Sequence, residues 1–203
     1  MGNKLLSPLA DDVFKGIFAD QRNIDNLADF LMPIARLPAE EYSRLTIVDP
    51  YLRRLFKKDK QGILDVKVLT KSGKVINVEV QVCRFAAIRK RILYYLARLI
   101  GEQLRRGDKY ERIQQTIVVI ICDHLIPGEP GQAEEPGYLS GMVSGDGRPG
   151  GKERYLNSFS IRNDEDGETF TELVKIITIE LPKVPRKRDG NAAWPWARFF
   201  TCE

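Results

Sequence analysis

The chain has 203 residues, 43% of them hydrophobic and 30% charged, which suits one soluble globular domain with a substantial core. No apolar run reaches the ~18 residues of a membrane span, and the opening MGNKLLSPLADD lacks the apolar stretch of a signal peptide. Three widely spaced cysteines without a C-x-x-C pair argue against a disulfide framework or a structural zinc site and predict a reducing, cytoplasmic setting. A net charge of +4 is compatible with nucleic acid without establishing it.

Residues 8–32 read as two short helices. Asp11 and Asp12 precede Val13, Phe14, Ile17 and Phe18 at helical spacing, and Asn23 is placed to cap a second run through Leu27, Phe30 and Leu31. Pro33 and Pro38 punctuate the chain. Residues 39–44 then predict another helical turn, and residues 45–48 a short strand.

Residues 61–82, QGILDVKVLTKSGKVINVEVQV, are the most informative stretch. Leu64, Val66 and Val68 alternate with Asp65 and Lys67, and Ile76, Val78, Val80 and Val82 alternate with Asn77, Glu79 and Gln81. A two-residue Ser72-Gly73 turn would set Asp65 opposite Val80. A three-residue Lys71-Ser72-Gly73 loop, with Gly73 left-handed, sets Asp65 opposite Glu79 instead. The polar face then gathers Asp65, Lys67, Glu79 and Gln81. Periodicity alone reads that face as solvated. Burying one carboxylate on each of two neighbouring strands would instead call for a divalent cation such as Mg²⁺ to offset desolvation.

A long amphipathic helix is predicted from about Arg84 to Arg106, with Gly107 as its C-cap. Its buried stripe is Phe85, Ile88, Ile92, Leu96 and Leu99. Arg84, Arg91, Arg98 and Arg105 recur every seven residues and would share one flank. Residues 84–112 hold nine Lys and Arg against Glu102, Asp108 and Glu111, so a solvated face competes with a phosphate-binding one. Tyr94 and Tyr95 adjoin this row, and at least one of them is expected to pack on the sheet.

Thr116–Cys122, TIVVIIC, reads as a buried central strand. The lone His124 after it carries no nucleophile motif and reads as structural, against Ser-His-Asp or Cys-His catalysis. Residues 127–151 are rich in Gly and Pro and predict a long loop. Tyr155–Ile161 and Phe170–Ile179 predict a second hairpin about Asn163–Gly167. The tail carries a basic Arg186-Lys187-Arg188 cluster and an aromatic WPWARFF stretch.

The order of motifs resembles the recombination-promoting nuclease and transposase family, a branch of the PD-(D/E)xK nucleases. It comprises Asp11…Lys15, LDVKV, NVEVQ, Arg91…Tyr95, Gly107…Tyr110, the Glu180–Lys183 step and the late Trp-aromatic stretch, and it runs over most of residues 8–196. The resemblance implies an α/β restriction-endonuclease-like core, a central mixed β-sheet flanked by helices, in one domain spanning residues 1–203 with the loop at 127–151 as an insertion. It further implies a Mg²⁺-dependent DNA endonuclease acting in recombination or transposition-like DNA processing, with Mn²⁺ able to substitute. Asp65, Glu79 and the Val80 carbonyl would hold the metal, Gln81 would occupy the lysine place and position water, and Asp11 and Lys15 would assist as helper acid and replacement charge. Arg84, Arg91, Arg98 and Arg105 would bind DNA phosphates. The competing expectation is a catalytically silent DNA-binding or protein-interaction module on the same fold. No membrane partner is expected, and double-strand cutting would call for a homo-oligomer or two sequential nicks.

Overall fold

The computed structural model describes residues 6–52, 62–84, 86–127 and 154–201. Its centre is a six-stranded mixed sheet in the order β1-β2-β3-β4-β6-β5. The strands are β1 (Thr46–Val48), β2 (Val66–Leu69), β3 (Val75–Gln81), β4 (Thr116–Cys122), β5 (Leu156–Arg162) and β6 (Thr169–Glu180). β3, β4 and β6 run parallel, while β1-β2-β3 and β6-β5 pair antiparallel. This is the expected α/β restriction-endonuclease-like architecture.

β4 is buried along its whole length, as a strand with helices on both faces must be. Ile117, Val119 and Ile121 enter a core cluster beneath helices α1 (Asp11–Phe18), α2 (Ile24–Ala35) and α5 (Trp194–Phe200). Val118, Ile120 and Cys122 enter a second cluster beneath α4 (Ile88–Gly101) with Ile88, Ile92, Leu96 and Leu99. A short helix, α3 (Ala39–Tyr42), leads into β1.

The hairpin takes the three-residue turn. Gly73 has φ of 89°, a conformation a side chain resists, and the pairs Val66↔Val78 through Leu69↔Val75 continue to Asp65 opposite Glu79. Glu41 of α3 clamps the turn. Its carboxylate accepts from Thr70 Oγ1 at 2.7 Å, Ser72 Oγ at 2.8 Å and Lys74 Nζ at 2.6 Å.

Several expectations are corrected. The strand face of Asn77 and Glu79 is not solvated; these side chains are buried, because α4 covers that side of the sheet. The long helix is shorter than expected, spanning Ile88–Gly101. Gln103 draws the chain off its end by donating to Gln114 O and Thr116 Oγ1 and accepting from the Gln114 amide. Gly107, at φ 91°, turns the following loop and does not cap the helix. Asn23 makes no side-chain cap on α2 and donates to Gly16 O instead.

Pro33 lies inside α2. It lacks the N–H that would reach Asp29 O, and the Trp196 indole donates to that carbonyl at 3.0 Å. The aromatic tail, read from sequence without an element, is therefore helix α5. The second hairpin forms as expected, turning at Gly167 with φ of 75°. Phe85, Cys202 and the predicted loop beyond Pro127 lie outside the described residues. Among the described residues no helix is long and apolar enough to cross a membrane.

Candidate active site

At the end of the sheet where β3 and β4 both finish lies a cavity of about 640 Å³. Asp11, Asp65 and Asp123 line it, with Val80, Phe14 and Phe200 among its other walls, and among the described residues no lysine or arginine does. Three carboxylates facing one cavity repel a phosphate unless a cation intervenes.

Asp65 stands just before β2, half-buried. Its Oδ2 accepts the Val80 amide at 2.8 Å, and its own amide donates to Glu79 Oε1 at 3.3 Å. The two acidic residues are thus stitched together across the hairpin, as their register requires. Glu79 is 1% exposed, and Asn77 Nδ2 donates to the same Oε1 at 3.1 Å. Burial first, and the Asp65 charge second, lift the Glu79 carboxyl to about 7, against Asn77, the Asp65 amide and Arg91. Burial also raises Asp65, against the Val80 amide and the charges of Lys15 and Arg91.

That electrostatic strain is what a cation relieves. The donors suit a hard divalent ion, which accepts one or two carboxylates and keeps several waters. Among the described residues no group of three or more His, Cys, Asp and Glu side chains is gathered to hold a metal by itself. Of the paired acids Asp65 faces the cavity, and Glu79, tied to its amide, could join it and the Val80 carbonyl in holding a cation.

The other predicted residues fall into two groups. Asp11 lines the cavity, and Lys15 pairs with it one helical turn away at 2.8 Å. The hydrogen bond to Asp11 raises the Lys15 pKa, and the Asp65 charge adds to it. Gln81 follows Glu79 on the same face of β3, beside Cys122 of β4. Lys67, two residues after Asp65, is held by Glu102 at 3.1 Å on the far side.

The arginine row does not survive as one flank. Arg84 and Arg105 lie outside α4 and are exposed. Arg91 sits over the Tyr95 ring at 5.2 Å. Arg98 is buried, donating to the Tyr94 hydroxyl at 2.9 Å. Seven-residue spacing keeps residues aligned only while the helix lasts, and this helix ends at Gly101. Tyr95 packs into the core as expected, while Tyr94 is 40% exposed.

A match to the family model described as PD-(D/E)XK nuclease family transposase covers residues 8–135. The chain belongs to this family. The matched span holds every residue of the cavity named so far except Phe200. No curated protein and no solved structure matches the chain.

Two residues of this candidate site went unread in the sequence. Asp123 directly follows the buried β4 and faces the cavity, with His124 Nδ1 at 2.8 Å from its Oδ1. A polar residue at the carboxyl end of a strand parallel to β3 was the available signal. Asn77, whose buried amide orients Glu79, carried only the i−2 spacing as a hint.

Proposed function

We propose that this protein is a divalent-metal-dependent DNA endonuclease, Mg²⁺ being the resident ion, that acts in recombination or transposition-like DNA processing from a single cytoplasmic domain. The observation that supports it most directly is the pairing of Asp65 with the buried, charge-strained Glu79 beside an acidic cavity. A cation held by the two carboxylates and the Val80 carbonyl would polarise a phosphoryl oxygen and lower the pKa of attacking water.

The chain's own residues supply the rest. The Val80 amide fixes the Asp65 carboxylate, and Asn77 fixes that of Glu79, so both ligands are oriented before anything binds. Gln81 carries no charge, so its part is to hydrogen-bond and orient water. Lys15, whose charge acts on Asp65, is paired with Asp11, which raises its pKa. Arg84, Arg91 and Arg105 contribute phosphate contacts, and Arg98 acts by holding Tyr94.

One observation favours a second reading, a silent DNA-binding or protein-interaction module. Glu79 is satisfied by Asn77 and the Asp65 amide and does not itself line the cavity. Plasmid nicking separates the two. Purified protein with Mg²⁺ is expected to relax supercoiled DNA, and Asp65→Ala or EDTA to abolish that. A folded protein that shifts DNA without nicking it in Mg²⁺ or Mn²⁺ would leave the silent module.

A further inference from the structure

A second cavity, of about 980 Å³, lies on the α2 and α5 side of the sheet toward the β5 edge. Its charge is opposite to that of the first. Arg36, Arg154, Lys175 and Lys183 line it against the single carboxylate of Asp189. Lys183 is tied to Glu180 at 2.8 Å. Arg36 and Lys175 form no ion pair among the described residues. The exposed Arg186, Lys187 and Arg188 follow Pro185 and precede Asp189, both on the cavity wall, and thicken the positive rim.

Two features mark this as more than a solvated basic surface. Tyr155 is 5% exposed and lines the cavity, and its buried hydroxyl, which feels the Asp189 carboxylate on the same wall, closes no hydrogen bond of ordinary geometry among the described residues. Burial raises its pKa, Asp189 raises it further and Arg36 opposes, so the hydroxyl is kept as a donor. Arg36 itself caps α2 in the left-handed conformation, φ 54° and ψ 40°, which costs a non-glycine residue energy that its surroundings must hold.

The two cavities share a wall. Leu181 and Pro182 of one short 3₁₀ turn line the acidic cavity, and Lys183 of the same turn lines the basic one. The turn that bounds the acidic cavity thus also bounds the basic one.

We propose that the basic cavity binds a backbone phosphate of the DNA strand that passes through the metal site, with Arg36 and Lys175 as its charged contacts and the Tyr155 hydroxyl as a donor. This rests on the nuclease reading for the identity of the strand, but its test does not require cutting.

The test is fluorescence anisotropy of a labelled DNA duplex in EDTA, across a salt series, with wild type, Asp65→Ala and the double variant Arg36→Gly/Lys175→Gln. Glycine suits the left-handed position, so the double variant is expected to melt no lower than wild type. It should bind DNA about tenfold or more weakly, with a salt slope lower by roughly one, since each neutralised phosphate contributes about 0.9. Asp65→Ala removes a cavity carboxylate that repels phosphate when no cation is present, so in EDTA it should bind at least as tightly as wild type. A folded double variant with wild-type affinity and slope would overturn the proposal even if plasmid nicking succeeds. Loss of binding in that variant would uphold it even if no nicking is found. Inorganic phosphate and a deoxynucleoside monophosphate form the last arm: a thermal shift with either that the double variant loses, alongside unchanged DNA binding, would assign the cavity to a free phosphate and overturn the DNA contact.

Discussion

Glu79 holds a carboxyl whose ordinary pKa of 4.5 is lifted to about 7. The folded protein therefore keeps a proton there that the unfolded chain would release. Stability from this group is present in full below pH 4.5 and is lost as the pH rises through about 7. The change corresponds to at most roughly 3 kcal/mol. In EDTA the wild-type melting temperature should fall between about pH 5 and about pH 8, and Glu79→Gln should flatten that fall. Mn²⁺ should raise the wild-type melting temperature most above pH 7, where no proton has to be displaced, and should not raise that of Glu79→Gln. An equal Mn²⁺ shift in the variant would remove Glu79 from the metal site. Differential scanning fluorimetry reads both effects.

At the scale of elements, the hairpin of β2 and β3 decides which residues meet. A one-residue slip would put Asp65 opposite Val80 and undo the pairing. Gly73 permits the turn, but Glu41 secures it from outside the hairpin through Thr70, Ser72 and Lys74. Truncating Glu41 leaves Lys74 and the buried Thr70 without their partner, which costs about 2–4 kcal/mol. Urea unfolding of Glu41→Ala should show that loss, and nicking should fall although Glu41 touches neither cavity. Stability lost without any change in nicking would confine Glu41 to the fold. α4 behaves differently. Its apolar stripe at Ile88, Ile92, Leu96 and Leu99 was legible from spacing alone, while its end at Gly101 depends on Gln103 finding Gln114 and Thr116, contacts no local pattern announces.

For the whole molecule, the acidic cavity is closed by segments distant in the chain. Phe14 comes from α1, Asp65 and Val80 from the hairpin, Asp123 from the end of β4, and Phe200 from α5. The last of these lies beyond the residues that match the family. Phe200 also packs on Phe14, Phe18 and Phe30, and Trp196 covers Phe18 and Phe30. Removing α5 by truncation after Gly190 would uncover that aromatic cluster and free Asp29 O beside Pro33, a loss in the class of large core deletions, several kcal/mol. The truncated chain is expected to lose cooperative melting by circular dichroism and with it all nicking. A cooperative transition near the wild-type temperature would show that the domain closes without α5.

Alternation and composition by themselves determined that β4 is buried and that a glycine turn sets Asp65 against Glu79 in register. Those properties depend on neighbours within a few residues, so the chain states them locally. Only the tertiary structure decided that α4 covers the face of Glu79 and makes its charge costly, that Arg98 is buried and so leaves the exposed row, and that Asp123 joins Asp65 at one cavity. Desolvation depends on what lies opposite a side chain, and that is set by how distant elements pack.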